Sequence, residues 1–223
     1  MINQIVVYPI SWDPYHQGHY NIEKKWKALY GDNFKLLLFK NPLKDKGLLD
    51  IDQRYKDILI SKLIYNIEEK QLTKDFIYQE LIDIKENIVI PKTKEELFEI
   101  FGNSKGIVRG IRNEEDLKYS LNLARLVPNL SVVDKLVKIE QDINLSEVSS
   151  SKFKKAFVTF YENWHQLPVI YNFIDSKIIY ERCKEDSRIK DIPLSNDLLK
   201  KIIEYMERVE KYEKLGYFKD IPL

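Results

Sequence analysis

The chain has few of the residues from which disulfides and zinc sites are built. Its 223 residues include one cysteine, Cys183, so no intramolecular disulfide can form and we expect a reducing, cytoplasmic compartment. Histidine occurs three times. No Cys/His spacing typical of a zinc site accompanies these residues, so we predict no protein-borne metal site.

Long apolar runs and net charge are also missing. No apolar run approaches the length that spans a membrane. The segment 1–8 lacks the basic and apolar regions of a signal peptide, so we expect none. The 36 basic and 35 acidic residues nearly cancel, which gives no indication of binding to nucleic acid or to a membrane surface. Hydrophobic residues still make up 44% of the chain, enough for a folded core.

Short apolar runs alternate with helical periodicities through the first 150 residues. We predict strands at 5–8, 34–39, 88–90, 106–108 and 131–139, and helices at 20–30, 52–67, 95–101 and 114–126. The alternation predicts an α/β fold, an open parallel sheet with helices on both faces.

From about Ser149 onward the chain shows only helical periodicity, over 152–164, 169–183 and 196–215. We therefore predict a domain over residues 1–157 and a helical C-terminal extension over 158–223 that packs on it. The last helix carries an apolar stripe formed by Leu198, Leu199, Ile202, Ile203, Met206 and Val209. We expect this stripe to pack on its own domain, and the alternative is a lid or a contact within a homo-oligomer.

Three polar segments each follow a predicted strand, where open parallel sheets bind their ligands. The first runs from Ser11 to His19 and holds two of the three histidines, His16 and His19, three residues apart. Gly18 allows the backbone to approach a ligand closely, and the helix that follows directs its amides at the loop, which favours phosphate. A capping loop with incidental histidines, or a metal pair, is the alternative.

The other two segments are also suited to phosphate. Arg109 and Arg112 flank Gly110 after the fourth predicted strand, and guanidinium groups match phosphate oxygens. We expect the glycine to clear space for the phosphate, because it has no side chain that would obstruct the two arginines. Ser149, Ser150 and Ser151 open a predicted helix, where they are either simple N-caps or part of a phosphate cradle.

Together these residues resemble the HxGH nucleotidyltransferase superfamily, and most closely its pantetheine-phosphate adenylyltransferase branch. The branch opens with Tyr-Pro-Gly-Thr-Phe-Asp-Pro and Asn-Gly-His, and this chain has Tyr-Pro-Ile-Ser-Trp-Asp-Pro and Gln-Gly-His between residues 8 and 19. The branch's lysine after the second strand appears as Lys44. Its Arg-Gly-x-Arg appears at 109–112 and its Ile-Ser-Ser-Ser at 148–151.

The resemblance implies a Rossmann-like fold and an adenylyltransferase that moves AMP from ATP to a phosphomonoester, with pyrophosphate released and Mg²⁺ on the phosphates. His19, His16 and Lys44 would be catalytic. Lys44, Ser11 and Arg109 would bind the acceptor. The nucleotide would be bound by Ser11, His16, Gly18, His19, Arg112, Ser149, Ser150 and Ser151.

Some positions depart from the branch and leave the acceptor open. Relative to the branch, an insertion without firm boundaries lies near 68–86. Its glutamate after Arg-Gly-x-Arg falls at Ser120 and its asparagine falls at Val127. His16 is present, as in nicotinate-mononucleotide adenylyltransferases and cytidylyltransferases. The expected acceptor is 4′-phosphopantetheine, and the alternatives are nicotinate or nicotinamide mononucleotide, a CTP-dependent reaction, or a nucleotide-binding regulator without turnover.

Overall fold

A computed structural model describes residues 5–11, 13–40, 49–69, 74–111, 114–125, 136–140, 149–164 and 176–216. The strands in these ranges are β1 (Val6–Ile10), β2 (Phe34–Leu38), β3 (Ile88–Val89), β4 (Gly106–Ile111) and β5 (Leu136–Glu140). The helices are α1 (Gln17–Tyr30), α2 (Ile51–Glu69), α3 (Lys74–Asn87), α4 (Lys94–Asn103), α5 (Glu114–Arg125), α6 (Ser150–Trp164), α7 (Ser176–Lys184) and α8 (Asn196–Lys214).

The five strands form one parallel sheet in the order β3-β2-β1-β4-β5. The chain moves outward from β1 to β3, returns to the centre at β4 and continues to β5. The strand order therefore reverses between β1 and β4, which is the point where open α/β sheets bind ligands. The predicted α/β fold with an open parallel sheet is confirmed.

The described ranges also contain a helix that the sequence analysis did not predict. α3 lies within the 68–86 insertion and runs on to the start of β3. Its sequence mixes charged and apolar residues without a strong helical stripe, which explains why periodicity alone did not reveal it. The predicted helix over 169–183 is described only from Ser176, and its first part lies outside the described residues.

The chain divides into two compact units. The first comprises Met1–Ser11, Gly18–Asp45 and Asp83–Ser146, and contains the whole sheet. The second comprises Trp12–Gln17, Lys46–Ile82 and Glu147–Leu223. Residue 157, the predicted boundary, lies within α6. The two units have other bounds, and the division into 1–157 and 158–223 stays a prediction.

The core of the first unit is built from strand and helix residues that are apolar in the sequence. Strands β1, β2 and β4 are apolar because helices cover parallel strands on both faces. One cluster packs strand residues against α4 and consists of Val7, Leu37, Phe39, Leu97, Ile100, Phe101 and Ile107.

In the second unit, α8 buries most of the stripe that the sequence predicts. Leu198, Ile202, Met206 and Val209 are each at most 4% exposed. The charged residues between them are exposed, namely Lys200, Lys201, Glu204 and Glu207. These four residues of the stripe are thus buried, and the expectation that the extension packs on the domain over residues 1–157 stays a prediction. In the part of the chain that is described, no helix is both long and apolar enough to span a membrane.

Candidate active site

The carboxyl end of β1 leads directly into the segment that the sequence analysis selected. Ser11 follows the strand in the first unit, and α1 begins at Gln17. His19 therefore lies in the first turn of α1, whereas His16 lies in the loop before it. Of the two histidines, only His19 lies in that turn. Its position places it beside amides that a helix N-terminus offers to an anion.

Arg109, near the end of β4, connects the second predicted segment to the first within the sheet unit. Its Nη1 donates a hydrogen bond to the carbonyl oxygen of Pro9 on β1. Its Nε donates to Oγ of Ser120 on α5 at 3.3 Å. Nη2 makes no hydrogen bond to any residue in the described ranges. The guanidinium is thus fixed at the point where the strand order reverses.

The surroundings of Arg109 favour an anionic ligand. Burial lowers the pKa of Arg109, and the nearby Tyr8, Tyr119 and Asp116 oppose that shift. The Tyr119 ring lies under the guanidinium, with Cζ 5.8 Å from its centroid. A cation removed from water is stabilised when an anion binds to it, so this arrangement suits a phosphate oxygen.

Helix α5 helps to hold Arg109 in place, which its sequence pattern does not predict. Ser120 accepts from Arg109 and donates to the backbone oxygen of Asp116 at 2.8 Å. Ser120 stands where the related branch has a glutamate, so a neutral hydroxyl replaces a carboxylate beside the arginine. The local signal was the one-turn spacing of Asp116 and Ser120 on a helix that follows β4.

Gly110, between the two arginines, has a packing role that we did not expect. A Cβ added at Gly110 would lie 2.9 Å from Cδ1 of Ile22 on α1, closer than such contacts normally are. Gly110 therefore allows α1 to pack against β4. The packing of Ile22, a side chain of the core, thus gives a reason for the glycine that does not involve phosphate. The expectation that Gly110 clears space for phosphate stays a prediction.

In the second unit, α6 contacts the loop formed by residues 13–16, which we call the 13–16 loop. Oγ of Ser150 donates to the carbonyl oxygen of Pro14 at 3.0 Å. The Phe153 ring stacks on His16, with centroids 6.1 Å apart and an interplanar angle of 17°. His16 is 5% exposed. The third predicted segment is thus joined to the loop of the first, and Ser150 orients that loop through its hydroxyl.

Asp13 anchors the same loop through buried charges. Its Oδ1 accepts from the backbone amide of Leu49 at 2.9 Å, and its Oδ2 accepts from Nζ of Lys154 at 3.3 Å. Arg54 Nε lies 4.0 Å from Oδ1. Asp13, Lys154 and Arg54 are each at most 6% exposed as residues. A buried carboxylate is stable only when it is paired and hydrogen-bonded, and Asp13 is both.

A second buried carboxylate holds the middle of the loop. The backbone amide of Tyr15 donates to Oδ2 of Asp57 at 2.7 Å. Burial raises the pKa of Asp57 to about 7, and Asp13 adds to this shift, while hydrogen bonds from Tyr15 and Ser61 oppose it. The sequence analysis missed Asp57 because nothing in the sequence distinguishes it from the other charged residues of α2.

Of the remaining predicted site residues, the structure describes Ser149, Gly18 and Ser151. Oγ of Ser149 accepts from the amide of Lys152 at 3.3 Å, so Ser149 caps α6 as a serine at that position can. Gly18 and Ser151 lie in the first turns of α1 and α6. Lys44, Arg112 and Val127 lie outside the described residues.

Within the described ranges, no group of three or more His, Cys, Asp or Glu side chains is arranged to hold a metal ion. Mg²⁺ in nucleotide enzymes is commonly held by substrate phosphates with one or two carboxylates. For this chain, a magnesium ion bound in that way stays a prediction.

Curated proteins that resemble this chain indicate its family. A phosphopantetheine adenylyltransferase of Mycoplasma capricolum is 34% identical over 134 residues, which is 58% of this chain and 82% of that relative. The chain belongs to the phosphopantetheine adenylyltransferase family. No family model matches it.

Two further relatives carry the same name. The phosphopantetheine adenylyltransferase of Clostridium novyi is 28% identical over 152 residues, or 68% of this chain and 82% of the relative. That of Thermotoga neapolitana is 27% identical over 188 residues, or 82% of this chain and 99% of the relative. Membership of the phosphopantetheine adenylyltransferase family confirms the predicted enzyme class, a nucleotidyltransferase.

Proposed function

We propose that this chain transfers AMP from ATP to 4′-phosphopantetheine and releases pyrophosphate. A phosphate oxygen of the acceptor attacks the α-phosphorus of ATP, and the bond between that phosphorus and the oxygen bridging to the β-phosphate breaks. The products are dephospho-CoA and pyrophosphate. The names of the relatives support this acceptor over nicotinate or nicotinamide mononucleotide, and they support ATP over CTP.

The observation that carries the proposal is the hydrogen bond from Arg109 to Pro9 at the reversal of strand order. It brings the Arg-Gly-x-Arg segment to the strand that leads into Ser11 and the histidine loop. An arginine fixed by the backbone needs little reorganisation to bind a phosphate, and catalysis by positioning depends on such preorganisation.

We assign the roles of the side chains by resemblance. His19, in the first turn of α1, donates a hydrogen bond to the α-phosphate as negative charge develops there. Ser11, Lys44 and Arg109 hold the acceptor phosphate. The β- and γ-phosphates are bound by residues after β4 and at the start of α6, namely Arg112, Ser149, Ser150 and Ser151. His16 supports the phosphates from the 13–16 loop.

No residue of the chain forms a covalent intermediate in this proposal. Mg²⁺, when bound with ATP, neutralises charge on the phosphates and so favours the departure of pyrophosphate. The chain's own contribution is to orient the two phosphates in line and to stabilise charge at the α-phosphorus.

The test supplies ATP and Mg²⁺ with 4′-phosphopantetheine, nicotinate mononucleotide or nicotinamide mononucleotide in parallel, and repeats each reaction with CTP. We expect dephospho-CoA to form fastest, with one pyrophosphate released per product. Dinucleotide formation without dephospho-CoA would contradict the proposal. Nucleotide binding without pyrophosphate release from any acceptor would instead favour a regulator that has lost turnover.

A further inference from the structure

Two buried hydrogen-bonded connections link the helical extension to the 13–16 loop, and both lie within the second unit. In the first, Nζ of Lys154 lies 3.3 Å from Oδ2 of Asp13 and 3.3 Å from Oδ2 of Asp186, which follows α7. The Lys154 side chain is 4% exposed and that of Asp186 is 11% exposed. The ammonium group thus bridges a carboxylate of the loop and a carboxylate of the extension.

The second connection reaches the backbone of the loop. The hydroxyl oxygens of Tyr205 on α8 and Ser61 on α2 are 2.7 Å apart. Ser61 donates to Oδ1 of Asp57 at 3.4 Å, and Oδ2 of Asp57 accepts from the Tyr15 amide at 2.7 Å. Either hydroxyl can be the donor in the contact between Tyr205 and Ser61.

Aromatic packing fixes the ring of Tyr205 while its hydroxyl makes this contact. The ring stacks on Tyr65 of α2, with centroids 5.6 Å apart, and meets Phe153 of α6 edge-on at 6.2 Å. Phe153 is also the residue that stacks on His16. Removing only the hydroxyl would leave this packing in place, so the polar and apolar roles of Tyr205 can be separated by experiment.

We propose that Asp186 and Tyr205 are positioning residues of the proposed reaction, which hold the 13–16 loop through Lys154 and Asp57. This inference rests on the proposed function for its kinetic consequence. Asp186 acts through Lys154, whose ammonium group also binds Asp13. Tyr205 acts through Ser61 and Asp57, and Asp57 accepts from the Tyr15 amide. The two connections therefore end on either side of Pro14.

The consequence for catalysis follows from where the two connections end. Residues 13–16 lead directly into α1, whose first turn contains His19. A displacement of about 1 Å in a catalytic group can lower the rate by about 10²-fold, because the reacting atoms then spend less time in line. The helical extension therefore acts on the reaction by restricting the loop.

The experiment compares Asp186→Asn and Tyr205→Phe with the wild type, in the full-length protein. Asp186→Asn removes a charge and keeps the shape, and Tyr205→Phe removes one hydroxyl. Matched controls make the same changes elsewhere in the extension. Asp191→Asn alters an exposed aspartate, and Tyr180→Phe alters a tyrosine whose hydroxyl contacts Glu162 and Lys184.

Two readouts distinguish positioning from simple stability. At a temperature where every variant is folded, we expect each test variant to lower kcat about tenfold while KM for 4′-phosphopantetheine changes less than threefold. We also expect the Tyr15 amide to exchange with deuterium about fivefold faster, the scale of losing one buried hydrogen bond. The controls should change neither quantity.

Each result supports or contradicts the inference. Unchanged kcat and unchanged exchange of the Tyr15 amide in both test variants would overturn it, even if their melting temperatures fall. Equal losses of activity in the controls would also overturn it. If the wild type forms no dephospho-CoA, the proposed function fails, and the exchange measurement alone then decides whether the extension restrains the loop.

Discussion

The buried carboxyl group of Asp57 makes stability depend on pH in a direction that can be worked out. Burial raises its pKa from 3.8 to about 7 in the folded chain. Between these pKa values the folded state holds a proton that the unfolded state has released. The free energy of unfolding therefore falls as pH rises through this range, and the loss is complete above the folded pKa.

The size of the effect follows from the two pKa values. A difference of about 3 units corresponds to about 4 kcal/mol between the acid and alkaline limits, at about 1.4 kcal/mol per unit. Between pH 5 and pH 8 the linkage relation gives a loss of about 2 to 3 kcal/mol from this group. Asp57→Asn removes the titration and retains an oxygen that can accept from the Tyr15 amide.

The assay is urea unfolding of the wild type and of Asp57→Asn at pH 5, 6, 7 and 8, with Asp191→Asn as the control. As pH rises from 5 to 8, we expect the free energy of unfolding of Asp57→Asn to increase by about 2 to 3 kcal/mol relative to that of the wild type. The control should keep a constant difference from the wild type. A difference between Asp57→Asn and the wild type that does not change with pH would refute the argument.

Three further predictions follow from the same structure. His19→Ala should lower kcat by at least ~10²-fold and weaken ATP binding less, because the hydrogen bond of His19 to the α-phosphate strengthens in the transition state. Steady-state kinetics test this, and near wild-type turnover would contradict it. Gly110→Ala should lower the free energy of unfolding by about 1 to 3 kcal/mol, because the added Cβ contacts Ile22. The loss should be smaller in the Ile22→Val background, which lacks Cδ1, and losses of stability that simply add in the double variant would contradict this explanation. Deleting residues 195–223 removes α8 and should expose the apolar surface that its stripe covers, which causes aggregation that size-exclusion chromatography detects. An unchanged elution volume and melting temperature would show that the segment is dispensable.

The sequence by itself determined the architecture of the sheet unit. Apolar runs short enough for strands, with helical periodicities between them, specified a parallel sheet because local hydrophobic patterning decides which elements form. The polar segments that follow the strands could be located for the same reason. Arg109 could be selected as a candidate ligand-binding residue from its place after the predicted strand at 106–108, without knowledge of its neighbours.

Only the tertiary structure identified the residues that hold the loop. Lys154 is one of three lysines between 152 and 155, and its burial beside Asp13 depends on a contact 141 positions away in the chain. Tyr205 meets Ser61 across 144 positions. Gly110 looked like a phosphate-binding glycine until Ile22 was found against it. Such contacts arise when distant helices and strands pack together, and no local pattern encodes which side chains will meet.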